Sequence, residues 1–79
     1  MITARQVRAG RALLGWSQKM LADKADVSIK AITRYETGEA DPRVSTLAAI
    51  ERVLSKAGIE FIPAANGKGE GVRIANAKD

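Results

Sequence analysis

The chain has 79 residues, a formal charge of +4, and neither Cys nor His. A chain of this length forms one domain with a small core, burying about 60–65% of its unfolded surface. Without Cys or His it has no disulfide framework, no thiolate or imidazole metal site and no common acid–base or nucleophilic centre, so no enzyme, metal or cofactor is expected.

The charge is uneven. Arg5, Arg8, Arg11 and Lys19 all precede the first acid, Asp23, and from Asp23 onward basic and acidic residues balance. A basic, cysteine-free domain points to nucleic acid, with an anionic membrane surface as the weaker alternative. No basic segment followed by an apolar run opens the chain, and no run approaches membrane-spanning length, so a soluble cytoplasmic protein without a membrane partner is expected.

Thr3 with Gln6 has the spacing of a capping box, so a first helix is expected from there to about Leu14, with Gly15 closing it and Val7, Gly10 and Leu14 facing inward. Ser17 caps a short second helix that carries Met20 and Leu21 and ends near Ala25. Ser28 caps a third, ended by Gly38, in which Ile32 and Tyr35 fall on one stripe and Ile29, Lys30, Thr33 and Arg34 on another. Asp41-Pro42 interrupts the chain, and from about Val44 a fourth helix places Leu47, Ile50 and Leu54 on one face up to Gly58.

After Gly58 the period changes. "IEFI" and "VRIA" alternate like strands around the Gly-rich "AANGKGEG", which predicts a hairpin whose Ile59, Phe61, Val72 and Ile74 must lie on the helices or on a second copy. The expected division is a helical domain over residues 1–57, a strand pair over 58–75 that serves dimerisation, and a disordered tail over 76–79. "GKGEG" lacks the Lys-Ser/Thr ending and following helix of a phosphate loop, so it reads as a turn.

Two short helices joined by a tight turn inside a helical segment describe a helix-turn-helix. The third helix then has one face to pack and one to present, and Lys and Arg there can donate to guanine O6 and N7 in a major groove. The stretch "RALLGWSQKMLADKADVSIKAITRYETGEADPRVSTLAAIERVL" resembles the Cro and lambdoid-repressor type of helix-turn-helix regulator, the XRE family, in its ordered series of S-Q, L-A, an apolar-Ser turn, E-x-G, Pro and a final amphipathic helix.

That resemblance implies a mainly α, lambda-repressor-like domain of four to five short helices, here with a short carboxy-terminal hairpin. It implies a sequence-specific regulator of transcription, a repressor more than an activator, bound as a homodimer to a partly palindromic double-stranded operator. Ser28, Ile29, Lys30, Thr33 and Arg34 match the family's base-reading positions. Ser17, Gln18, Thr37, Gly38 and Arg43 match its phosphate-contacting positions, and Arg11 with Glu36 matches a structural ion pair. Arg5 and Arg8 read equally as phosphate-attracting or as solvated. Asp26 stands where the family turn often has Gly, and Ile29 offers methyl contact where family members often have Gln or Ser. The alternative is an antitoxin-like interaction module, its hairpin adding to a protein partner's sheet edge, with DNA binding secondary.

Overall fold

The computed structural model describes residues 2–76; of the expected tail, residues 77–79 lie outside them. Four helices, α1 (Ala4–Leu14), α2 (Gln18–Ala25), α3 (Ile29–Glu36) and α4 (Val44–Lys56), precede a two-stranded antiparallel sheet of β1 (Ile59–Ile62) and β2 (Gly71–Ile74). The mainly helical fold with a terminal hairpin is the class expected from the sequence.

Local chemistry sets the helix boundaries. The Thr3 hydroxyl accepts from the Gln6 N–H while the Gln6 side chain accepts from the Thr3 N–H, a complete capping box. Ser17 and Ser28 accept from the N–H groups of Met20 and Ala31, so both short helices of the motif begin on a serine cap. Gly15 ends α1 at φ 71°, a left-handed conformation that costs glycine little.

Asp26 takes the same left-handed conformation, at φ 56° and ψ 46°, and caps α2. This is what allows α3 to begin only three residues after α2 ends. Two unfavourable effects meet there: a side chain in the left-handed region, and a carboxylate at the negative end of a helix. Replacing Asp26 with Gly is expected to raise stability by about 0.5–1 kcal/mol, net of glycine's extra unfolded-state entropy, and the melting temperature by about 2–8 °C. A thermal melt in which the melting temperature falls would show that the aspartate is locally satisfied.

The core forms where the helices' inner stripes converge on Val7, Leu21, Ile32, Ile50 and Leu54, all essentially without solvent exposure. Each such burial contributes about 1.5–3 kcal/mol of transfer free energy. Tyr35 is buried too, and its hydroxyl donates to the Ile2 carbonyl over 3.1 Å, tying the segment before α1 to α3. Burial, reinforced by the Asp41 charge, raises the phenol's pKa.

Ile59 pairs with Ile74 and Phe61 with Val72, so all four share one face of the hairpin. That face lies on the chain's own helices. Ile59 is buried with its Cγ2 3.6 Å from where a Cβ on Gly10 would stand, Phe61 and Val72 pack on the same core half-buried, and Ile74 stays 39% exposed. Of the two options open from sequence, the intramolecular one takes Ile59, Phe61 and Val72, because α1 and α4 leave an apolar opening above Gly10 and Leu54 that the sheet closes.

Two contacts fix the hairpin's far end to α1. The buried Gln6 amide donates to the carbonyls of Ile62 and Gly71, 3.2 and 2.9 Å away. Glu70 accepts from the Thr3 hydroxyl and from Arg5, whose Nη2 is 2.7 Å from its carboxylate. A hydrogen bond from its own backbone N–H, then Arg5 and Thr3, hold the Glu70 pKa below the usual carboxylate value. The unfolded chain therefore binds this proton more tightly than the folded one, so the contact's stability is present above the unfolded-state carboxyl pKa and is lost as pH falls through the lower folded value. Glu70→Gln is expected to flatten the fall in denaturation midpoint on acidification below about pH 5. An acid limb of unchanged slope would remove Glu70 from the pH response.

Candidate nucleic-acid interface

Along α3 the residues divide as helical periodicity requires. Ile32, Tyr35 and Glu36 are buried, whereas Ile29, Lys30, Thr33 and Arg34 are exposed. Ser28, Thr37 and Gly38 continue the exposed face at either end, and Ser17 and Arg43 are also exposed. Ile29 keeps 49% of its surface, a methyl group offered to solvent beside two cations.

Among the described residues, Lys30 and Arg43 have no acidic partner, and Arg34 has only Glu39, with Nε 3.7 Å from the carboxylate and both side chains exposed. A contact that long between exposed groups leaves the guanidinium free to turn to another acceptor. The Thr37 hydroxyl donates to the Arg34 carbonyl over 3.2 Å, while Arg43 caps α4 without any side-chain hydrogen bond.

Behind this face lies a charged network centred on Glu36, whose side chain is 2% exposed. Arg11 grips its carboxylate with both arms of the guanidinium, Nε to Oε2 at 2.7 Å and Nη2 to Oε1 at 2.6 Å, and donates through Nη1 to the Trp16 carbonyl at 3.0 Å. The hydrogen bond to Glu36, opposed by burial and aided by charge attraction, raises the Arg11 pKa further. Arg8 donates to the Glu36 main-chain carbonyl, so α1 holds both the side chain and the backbone of the last residue of α3.

Gln18 joins the network from α2. Its Nε2 donates to Glu36 Oε1 at 3.1 Å and its Oε1 accepts from the Thr33 hydroxyl at 3.0 Å. A carboxylate only accepts, so the amide's NH2 must face Glu36 and its oxygen Thr33. One N–H of Gln18 is left over. Thr33 has committed its hydroxyl proton, which leaves its methyl group and its acceptor lone pairs.

The sequence-predicted residues thus fall into three groups: an exposed face on and around α3, the bracing set of Arg11, Glu36 and Gln18, and the hairpin residues on the far side of α1. The family resemblance gave Arg11 its acceptor, Glu36, whereas sequence reading missed the acceptors of Arg5, Arg8 and Lys19. Arg8 is held by the Glu36 carbonyl and Arg11 by the Glu36 carboxylate, whereas Arg5 and Lys19 pair with Glu70 and Asp23 while staying exposed at the surface. Only the Lys19–Asp23 pair had a local signal, its i, i+4 spacing. Trp16 is half-buried against the core with the Lys24 Nζ 5.1 Å from its ring centroid.

No described helix is long and apolar enough to cross a membrane, and no described cluster of acidic side chains could hold a metal ion. A family model described as helix-turn-helix matches residues 7–61, which takes in all four helices of the bundle except the first turn of α1 and reaches into β1. No curated protein matches the chain.

Proposed function

Because the chain belongs to the helix-turn-helix family, of the Cro and XRE type, and is a DNA-binding regulator of transcription, we propose that it represses by binding a partly palindromic operator as a homodimer. The observation that carries this reading is the division of α3 into a presented face and a braced one. An exposed helix face with Lys30 unpaired, Arg34 only loosely approached by Glu39 and Ile29 exposed fits a major groove, where cations address guanine and methyl groups address thymine.

In this reading Ser28, Ile29, Lys30, Thr33 and Arg34 face base edges, with Thr33 limited to methyl contact or acceptance. Ser17, Gln18, Thr37, Gly38 and Arg43 meet phosphates on either side. The Gln18 N–H left over by its bonds to Glu36 and Thr33 suits that task, because its direction is set before DNA arrives. Gln18→Ala is expected to weaken binding by about 1 kcal/mol on every sequence alike. A changed sequence preference in a competition assay would move Gln18 from phosphate contact to readout.

The experiment for the whole reading is selection of the purified protein from a random duplex library at near-physiological salt, followed by sequencing. A two-fold motif with half-sites about 10 bp apart is expected. Enrichment of nothing, with binding that simply fades as salt rises, would leave only electrostatic attraction and overturn sequence-specific recognition.

A further inference from the structure

The helices leave a second basic surface that the DNA-reading face does not use. An open groove of about 440 Å³ runs along the carboxy-terminal half of α4, lined by Trp16, Lys24, Arg52, Val53, Lys56 and Ala57. Trp16 and Val53 are half-buried against the core and, with Ala57, give the groove an apolar floor. Lys24 comes from α2 and Arg52 and Lys56 from α4, so exposed cations flank that floor from two helices.

Among the described residues no acid lines the groove, and none of the three cations has an acidic partner. The acids beside them in sequence are engaged elsewhere: Asp23 pairs with Lys19 at 3.1 Å, and Glu51 lines a separate cavity with Ile2 and Phe61. Stability alone does not account for the cluster. Lys24 and Lys56 sit in the last turns of α2 and α4, where a cation suits the helix dipole, but Arg52 lies one turn earlier and sets a like charge at i, i+4 from Lys56. That spacing disfavours a helix, and only an anion from outside relieves it.

We propose that this groove docks an acidic segment of a partner protein, in which an apolar side chain is flanked by Asp or Glu. The three cations select for carboxylates, as basic clusters do in the recognition of acidic motifs. The floor selects for an apolar group between them, the pattern of an apolar contact centre with a charged rim. A DNA backbone or free phosphate has no such group to lay on Trp16 and Val53. The groove is also open along α4, whereas sites for small molecules enclose most of their ligand.

Its position keeps it apart from the DNA face. Arg43 caps the amino-terminal end of α4 and Lys56 closes the other, and 13 residues of helix put about 18–20 Å between them. A segment in the groove therefore leaves Lys30, Arg34 and Arg43 open to DNA. The inference goes beyond the regulator reading and stands without it; joined to that reading, it makes the domain an adaptor that holds a protein at its operator.

The groove carries its own reporter. Trp16 is the only tryptophan in the chain, and the Lys24 Nζ lies 5.1 Å from its ring centroid. A carboxylate that draws Lys24 from the ring, or an apolar side chain laid on the ring, changes the surroundings that set its emission.

The probe is a short synthetic peptide with a central Leu pair flanked by Glu, compared with its Gln counterpart and with an all-Glu peptide. Binding to the full chain is read by anisotropy of the labelled peptide and by Trp16 emission. The Glu–Leu peptide should bind with a shift in emission and an affinity that falls as salt rises, and both controls should bind at least about fivefold more weakly. Arg52→Gln with Lys56→Gln should weaken it at least about fivefold, keep the helical circular dichroism of the parent and bind duplex DNA unchanged. Arg52→Gln alone should weaken it about twofold or more and leave the melting temperature level or raised, because a like-charge pair is gone.

No binding of the Glu–Leu peptide, equal binding of its Gln counterpart, or variants that bind it as the parent does overturn the proposal. Inorganic phosphate that shifts Trp16 emission and displaces the peptide at matched ionic strength would make the groove an anion site only, and loss of duplex binding by the variants would make it part of the DNA surface; either overturns it too. A chain that selects no DNA sequence leaves this docking standing, and a groove that takes no peptide leaves the regulator reading standing.

Discussion

Arg11→Ala is expected to lower the stability of the fold by about 3–5 kcal/mol, the cost of leaving a buried charge without its partner. Glu36 is 2% exposed at its side chain and receives two of its three side-chain donors from Arg11, at 2.7 and 2.6 Å. Once the guanidinium is gone, the Gln18 amide alone faces the carboxylate, and one neutral donor cannot replace a bidentate cation. A domain of this size has about 5–10 kcal/mol of stability in all, so the variant should melt well below its parent or be partly unfolded at room temperature. The measurement is chemical denaturation of both proteins at neutral pH.

A double variant, Arg11→Met with Glu36→Leu, separates the pair's net worth from the cost of orphaning one member. Removing both charges and filling the space with apolar side chains is expected to recover most of the loss. It should not recover DNA affinity, because the Gln18 amide then has no acceptor to orient it. A single Arg11→Ala that costs under about 1 kcal/mol would mean water reaches Glu36, and would remove the network as the brace of α3.

Much of the fold was legible because its signals are local. The caps at Thr3, Ser17 and Ser28, the closing Gly15 and the stripe of Leu47, Ile50 and Leu54 each act within a few residues, and the structure has helices where they indicate. The face of α3 was legible for the same reason. The hairpin was legible as two strands but not in its destination, since alternation says which residues share a face and nothing about which surface meets it.

The charges were least legible. A count along the chain set all excess cation at the amino terminus, and only the family resemblance pointed Arg11 to Glu36; Arg5 finds Glu70 across distant sequence, and Arg8 finds a backbone carbonyl that no residue type announces. Folding cancels much of the cluster that composition emphasised and leaves Lys30 and Arg43 as unspent charge on the α3 side. Gln6 was also hidden in part. Its oxygen was legible from the capping box, while its nitrogen, which fastens the hairpin to α1, has no signature.

Arg34→Ala is expected to cost about 1–3 kcal/mol on the preferred operator, or roughly 5- to 150-fold in affinity, and much less on random DNA. The asymmetry follows from where Arg34 sits. It lies on the exposed stripe of α3, and its only ionic contact is the 3.7 Å approach of Glu39, so truncation removes little from the folded protein itself. On the operator it removes a donor fork that fits guanine and no other base edge. The salt dependence of specific binding should hardly change, because an Arg aimed at a base releases few phosphate counterions, whereas Arg43→Ala should lower the slope by about one. Titrations of both variants on operator and random duplexes at several salt concentrations decide the matter. Equal losses for Arg34→Ala on both DNAs, with a reduced salt slope, would make it a phosphate contact and leave base choice to Lys30.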